Sequence, residues 1–380
     1  MAEPIRILHV LGTTDLGGAE SRIMDLYRHM DRSRVQFDFV VHTEKEGFFD
    51  KEIEELGGRI FRVPRFRIYN YFSYRRAFRE FFREHHEFRM VQGHMTSSAA
   101  IYLPIAKKAG ISTTIAHARS AGVDKGLKGK LTRWMRRNLW RKADYLFTCS
   151  KKAGISVFGE KAVEQGKTIF IPNAIDCRAF SYDEKKRMEM RENLRLTDKY
   201  VIGHVGRFHY AKNHEYLLEV FARLCRKRDD YALILLGEGG GMEGCRALAR
   251  ELEIEDKVFF LGNHSNVYDY YQAMDYFVYP SRYEGLPGTV VEAQSCGLQC
   301  LMSDTICEEV AVTDLVHTMS IAEDPEKWAA YIEATRDYER RSHVSEMTKA
   351  GFDVKGQAML MTDFYETGKW RELQGRTRKN

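Results

Sequence analysis

No uninterrupted apolar run in this chain approaches the roughly 18 residues of a membrane-spanning helix, so the sequence excludes a spanning segment. The opening stretch, M-A-E-P-I-R, carries no apolar signal region and is expected to lead directly into a strand. The seven cysteines are odd in number and hold no C-x-x-C pair, which argues against a disulfide framework and a zinc site. Reduced, cytoplasmic surroundings fit that usage best. No D-x-D triplet occurs, so the usual carboxylate pair for a metal-bridged diphosphate is missing. Neither sign of charge dominates. The 59 basic and 54 acidic residues leave +5, which gives no case for a nucleic-acid partner but leaves room for local basic patches.

What is present is apolar content, 44% of 380 residues, ample for two domains with separate cores. In the first half, Ile5 to Leu11, Val35 to His42, Arg59 to Val63, Met90 to Gly93, Thr113 to Ala116 and Tyr145 to Cys149 read as strands. In the second, Tyr200 to Phe208, Tyr231 to Leu236, Lys257 to Leu261, Tyr276 to Pro280 and Cys300 to Asp304 do the same. Helical spacing separates them, as in Ile23, Leu26, Tyr27 and Met30. The alternation predicts an α/β chain with parallel sheets covered on both faces. The run I-F-I-P-N-A-I-D, stopped by Pro172, reads as a passage between domains at 1–173 and 174–354. A final helix at about 355–375 has one apolar face and is expected to return to the first domain, while the tail R-T-R-K-N is expected to fray.

The chemistry concentrates in Tyr283 to Gly297, Y-E-G-L-P-G-T-V-V-E-A-Q-S-C-G. Glu284 precedes a Gly/Pro loop, Thr289 is a good N-cap for the helix that follows, and Glu292 comes eight positions after Glu284. Such a loop directs backbone N–H groups to one spot at a helix N-terminus, where an anion is favoured. Thr289-x-x-Glu292 is also a capping box, and both roles place the carboxylate at the helix start. Upstream, Arg207 and Lys212 bracket a tight connection at the end of a strand, where two cations suit two phosphates.

In the first half, G-T-T-D-L-G-G-A-E opens the first helix, and its glycines either admit a phosphate or serve a tight turn. It is not the G-x-G-x-x-G pattern. His117, trailed by Arg119, Ser120 and Gly122, is placed just after a strand end, either at a ligand site or as a surface histidine. Lys125 to Lys142 carries eight basic residues and no acid, with Leu131, Trp134, Met135 and Leu139 at helical spacing. It either packs its apolar face inside and solvates its charges, or meets an anionic membrane surface or a lipid-linked diphosphate.

Taken together, G-G-A-E, V-G-R-F-H-Y-A-K-N, I-P-N-A-I-D and E-G-L-P-G-T-V-V-E-A-Q-S-C-G resemble the motifs of the family 4 retaining glycosyltransferases. The chain is most similar to bacterial members that build exopolysaccharide or capsule. The resemblance implies the GT-B fold, two Rossmann-like domains with parallel sheets facing a central cleft. It implies a hexosyltransferase-type, retaining transfer from a nucleoside-diphosphate sugar, with no cofactor and no essential metal.

Carried over by position, Arg207 and Lys212 would stabilise the departing diphosphate, and Glu284 and His117 would touch the donor sugar. Glu292 would hold the ribose, and Gly285, Leu286, Pro287, Gly288 and Thr289 would meet sugar and phosphate. Gly17 and Gly18 would lie near the phosphate. Gly237 and Leu261, at strand ends, are counted with the donor-binding residues. Gln299 and Ala174 stand where the family often has proline and glycine, which bears on local loop shape. The expected acceptor is a growing glycan, lipid-linked or alternatively small and soluble. A non-catalytic nucleotide-sugar-binding subunit is the reading from another class. The expected location is cytoplasmic, peripheral on the inner membrane face through Lys125 to Lys142.

Overall fold

The computed structural model describes residues 3–119 and 126–370, and the chain divides into two compact units, 1–174 with 353–380 and 175–352. The features expected at Ser120, Gly122 and Lys125, the far end of the final helix and the 376–380 tail lie outside the described residues.

The first unit is built on seven parallel strands, β1 (Ile5–Leu11), β2 (Val35–Val41), β3 (Ile60–Arg62), β4 (Met90–Gly93), β5 (Thr113–Ala118), β6 (Tyr145–Thr148) and β7 (Thr168–Phe170). Their order is β3-β2-β1-β4-β5-β6-β7. β1 therefore stands where the strand order reverses, between β2 and β4, and the carboxyl ends there open the crevice that α/β sheets use for ligands. β2 is buried along its whole length, which suits an interior parallel strand. Its one acid, Asp38, is tolerated because Arg6 Nε donates to it at 2.6 Å and the Arg59 backbone N–H at 2.7 Å. Those bonds outweigh the cost of burial and hold its carboxyl below the usual range.

The final helix, Val354–Thr367, belongs to this unit. Asp353 caps it by accepting from the Gly356 N–H, and Gly368 ends it at φ +71°. Val354, Ala358, Met361 and Tyr365 recur at helical spacing, and they join Trp370 and the first helix in one core. Tyr365 Oη reaches past that core to donate to Gln92 Oε1 at 2.7 Å.

The second unit repeats the plan with β8 (Tyr200–Val205), β9 (Tyr231–Leu236), β10 (Val258–Gly262), β11 (Tyr276–Tyr279), β12 (Gln299–Ser303) and β13 (Val316–Met319). All pairs are parallel, in the order β10-β9-β8-β11-β12-β13, so β8 is the reversal point. The helix His214–Lys227 sets Leu217, Phe221 and Leu224 against Leu233, Leu235 and the fully buried Trp328. The chain thus carries Arg207, Lys212 and Glu284 out of β8 and β11, the two strands that flank the switch point.

Candidate active site

In the second unit, three loops meet above the switch point. Gly206 N–H bonds Leu236 O at 2.9 Å, Phe208 N–H bonds Glu238 O at 3.0 Å, and Gly241 N–H returns to Phe208 O at 3.1 Å. These backbones lie so close that a Cβ on Gly237, at φ +134°, would sit 2.2 Å from Gly206 O. The third loop joins through the Arg282 N–H, 2.7 Å from Ala211 O, and the Asn213 Nδ2, 3.1 Å from Pro280 O. Asn213 holds this bond from the left-handed region, φ +58°, immediately before the helix His214–Lys227. Asparagine enters that region more readily than most residues.

This scaffold points Lys212 inward. Its Nζ lies 2.6 Å from Glu284 Oε1 and also bonds the Tyr279 hydroxyl, which is itself 3.2 Å from the same carboxylate oxygen. Burial would lower the ammonium's pKa, but Tyr279 and Glu284 more than offset it and push it up, so Lys212 remains a fixed cation. Arg207 stands exposed on the same loop. Behind Lys212, His204 Nδ1 donates to Val278 O at 2.9 Å, and its ring stacks on Tyr279.

The helix Gly288–Ser295 begins at the end of the third loop. Pro287 occupies the N-cap position, no side chain caps the helix, and its first amides carry the positive end of its dipole. Glu292 is buried one turn in, with Oε2 2.8 Å from the Tyr271 hydroxyl, which also lies 3.1 Å from Thr289 O. The stretch from Glu284 to Glu292 thus carries the partner of a fixed cation, a helix N-terminus and a buried carboxylate. That set can hold an anion and a pair of hydroxyls.

The family model described as Glycosyl transferases group 1 matches residues 185–350, and the one described as Glycosyl transferase 4-like domain matches 17–174. Putative glycosyltransferase EpsF of Bacillus subtilis (strain 168) is 33% identical over 368 residues, 95% of this chain and 96% of its own. The chain belongs to the family 4 (group 1) glycosyltransferases.

A second relative of this glycosyltransferase is the Campylobacter jejuni N-acetylgalactosamine-N,N'-diacetylbacillosaminyl-diphospho-undecaprenol 4-alpha-N-acetylgalactosaminyltransferase. It is 31% identical over 166 residues, 44% of this chain and 43% of its own. Among solved structures, Anabaena HepE in complex with UDP and glucose superposes with a TM-score of 0.74 at 16% identity, covering 93% of this chain and 94% of that one. The fold is GT-B.

Within this glycosyltransferase, the structure joins Lys212 to Glu284 directly and sets Gly237 against the backbone that carries Arg207. Gly285, Leu286 and Pro287 are buried and connect Glu284 to the helix start at Gly288. Leu261 presents its carbonyl to His264 Nε2 at 2.9 Å. Thr289 is not the N-cap but the second residue of the helix, because the N-cap is Pro287, two positions earlier. The capping box is therefore not formed at these positions.

His117, Gly17 and Gly18 lie in the first unit. Gly17 is the N-cap of the helix Gly18–His29 in extended backbone, and a side chain on Gly18 would meet open space. His117 does not follow β5 but lies inside it, fully buried and paired in register with Phe147. Its Nδ1 accepts from Gln92 Nε2 at 2.9 Å, and Tyr365 holds the other end of that amide. Arg119, one residue past β5, is the group that emerges there. It donates to His94 Nδ1 and to Asn173 Oδ1, each at 3.1 Å, and His94 Nε2 lies 3.1 Å from His9 Nδ1.

Sequence reasoning missed Tyr279, His204, Tyr271 and the His9–His94 pair, and named Arg119 only as trailing His117. The available signal was position: Tyr279, His94 and Arg119 stand at or just beyond the carboxyl ends of β11, β4 and β5.

Burial, aided by the neighbouring Arg119, lowers the pKa of His9 to about 3 and puts His94 and His117 well below their ordinary value. Burial with Lys212 nearby takes His214 to about 4. A histidine depressed in the folded state binds fewer protons there than when unfolded. Its stabilisation is therefore full above about pH 6.5 and is lost as pH falls below that. His9 and His214 each contribute about 2 kcal/mol of destabilisation by about pH 5. The melting temperature is expected to fall steeply between about pH 7 and about pH 5, and a flat profile by calorimetry would remove the buried-neutral assignment.

Proposed function

We propose that the chain moves a sugar, with retention of anomeric configuration and without an essential metal, from a nucleoside-diphosphate sugar to a lipid-linked oligosaccharide. The pathway is exopolysaccharide or capsule synthesis, in keeping with the bacterial members whose motifs the chain resembles. The acceptor places the enzyme at the cytoplasmic membrane face. The observation that carries the reading is Lys212. It is an ammonium kept charged beyond the carboxyl end of β8 and paired with Glu284, which lies four residues before the start of the helix Gly288–Ser295.

In this reading the donor's C1–O bond breaks, its electron pair goes to the terminal phosphate oxygen, and Lys212 with Arg207 stabilises the charge that develops there. The acceptor hydroxyl attacks C1 from the face that the diphosphate leaves, and its proton passes to that leaving oxygen. Glu292 accepts from ribose hydroxyls, and Glu284 both orients Lys212 and faces the sugar. The Campylobacter relative, named for a diphospho-undecaprenol substrate, supports the lipid-linked acceptor. The HepE complex supports a uridine diphosphate donor.

The test is transfer from a panel of nucleotide sugars to a bacterial lipid extract in the presence of a chelator, with the product's anomeric proton read by NMR. The expected product has the donor's anomeric configuration. Inversion, or activity only with added metal, would overturn the mechanism.

A further inference from the structure

The first unit carries a surface that the donor chemistry does not use. Residues 64–72 and the helices Thr96–Lys108 and Gly126–Arg136 enclose a groove of about 720 Å³. Phe66, Ile68, Tyr71, Ile101, Leu131 and Trp134 line it. Its volume is in the range of about 300–1,000 Å³ that holds a single small-molecule ligand or chain. Around it, Ile68 is 69% exposed and Trp134 71%, and the neighbouring Tyr69 and Phe72 exceed 80%. Large apolar side chains clustered in the open mark an interaction surface rather than ordinary exposure.

The charge around this groove is one-sided. Residues 63–79, 94–118 and 126–142 contain no aspartate or glutamate, in a chain that otherwise nearly balances its charges. Arg65 and Arg67 flank Phe66, Arg75 stacks on Tyr71 with 5.3 Å between guanidinium and ring centroid, and Arg137 and Lys142 line the groove itself. Among the described residues no carboxylate pairs with Arg65, Arg67, Arg75, Arg133 or Arg137. Aromatic side chains at the edge of an apolar slot, ringed by unpaired cations, complement the headgroup layer of an anionic bilayer.

We infer that this face docks on anionic phospholipid membrane, with the groove between residues 64–72 and the helices Thr96–Lys108 and Gly126–Arg136 receiving one hydrocarbon chain. The inference deepens the lipid-linked-acceptor reading, and it is independent of Lys212 and the donor chemistry. It also moves the membrane contact beyond the basic stretch at 126–142, because the most exposed apolar residues lie in 64–72.

The experiment is sedimentation of the full chain with vesicles of phosphatidylglycerol in phosphatidylcholine, at low and raised salt, with a parallel series of brominated acyl chains to quench tryptophan. The protein is expected to bind the anionic vesicles, to release them in salt, and to lose fluorescence in a way that Trp134→Phe abolishes. Arg133→Gln with Arg137→Gln is expected to weaken binding about thirtyfold. Ile68→Ser with Phe72→Ser is expected to weaken it about tenfold or more, with an unchanged melting curve because both side chains are exposed. Equal binding to pure phosphatidylcholine, no binding at low salt, or binding without quenching through Trp134 would overturn the inference. An acidic amphipathic peptide that occupies the groove while vesicles do not would identify a protein partner instead. Lys212→Ala is expected to bind vesicles as the parent does. Vesicle binding without transfer would sink the proposed function alone, and transfer in detergent without vesicle binding would sink this inference alone.

Discussion

Lys212→Ala is expected to lower kcat for sugar transfer by about 10²–10³-fold, the usual cost of removing one preorganised charge from the oxygen that becomes an anion in the transition state. The size follows from the setting. Lys212 is only 19% exposed, so its field is poorly screened by water, and its ammonium is fixed by Glu284 and Tyr279 before any ligand arrives. The substitution also leaves Glu284, 18% exposed, as an uncompensated carboxylate beside the expected diphosphate. Lys212→Ala with Glu284→Gln should therefore bind nucleoside diphosphate better than Lys212→Ala alone. Such non-additivity is the signature of a coupled pair. Steady-state release of nucleoside diphosphate, together with isothermal titration of the double variant, checks both statements. Equal turnover by parent and Lys212→Ala would remove the assigned role.

The second large effect lies in backbone geometry. Gly237→Ala forces a side chain into φ +134° and sets its Cβ 2.2 Å from a backbone carbonyl oxygen, Gly206 O. The conformational strain alone costs about 1–3 kcal/mol, and the clash adds to it because no flexible side chain is available to yield. The loop must shift, and the loop that shifts carries Arg207 and Lys212. We expect a lower melting temperature together with a raised KM for the donor. Gly244→Ala is the matched control from the same glycine-rich stretch. It lies inside the helix Met242–Glu251, where a Cβ meets nothing within 4 Å, so alanine is expected to stabilise by up to about 1 kcal/mol. If both variants melted alike, the close approach of the two loops would not be a constraint.

The parallel sheets were legible because their strands are short, nearly continuous apolar runs separated by helical spacing. The charged motifs were legible because they sit just beyond those runs. Local chemistry alone misplaced two features. His117 reads as the polar residue that ends a strand, yet β5 continues through it because Gln92 of β4 donates to its ring inside the sheet, while Tyr365 of the final helix holds the far end of that amide. Thr289 has the better capping side chain, yet the helix begins at Gly288 because Pro287 already holds the extended backbone that an N-cap requires. The aromatic partners Tyr271 and Tyr279 were not legible for a related reason. Tyrosines abound in this chain, and only the tertiary fold brings one to Glu292 and the other to Lys212. The contacts that join Lys212 to Glu284 and Tyr271 to Glu292 are long-range pairings, and no periodicity encodes them.

In the proposed mechanism Lys212 and its neighbours hold a nucleoside diphosphate without help from a metal. Calorimetric titration of UDP, GDP and ADP into the full chain, with chelator in the cell, tests it most directly. The parent is expected to bind at least one of the three saturably, and Lys212→Ala to bind that nucleotide at least about tenfold more weakly. Binding that needs a divalent cation, or that Lys212→Ala leaves unchanged, would contradict it.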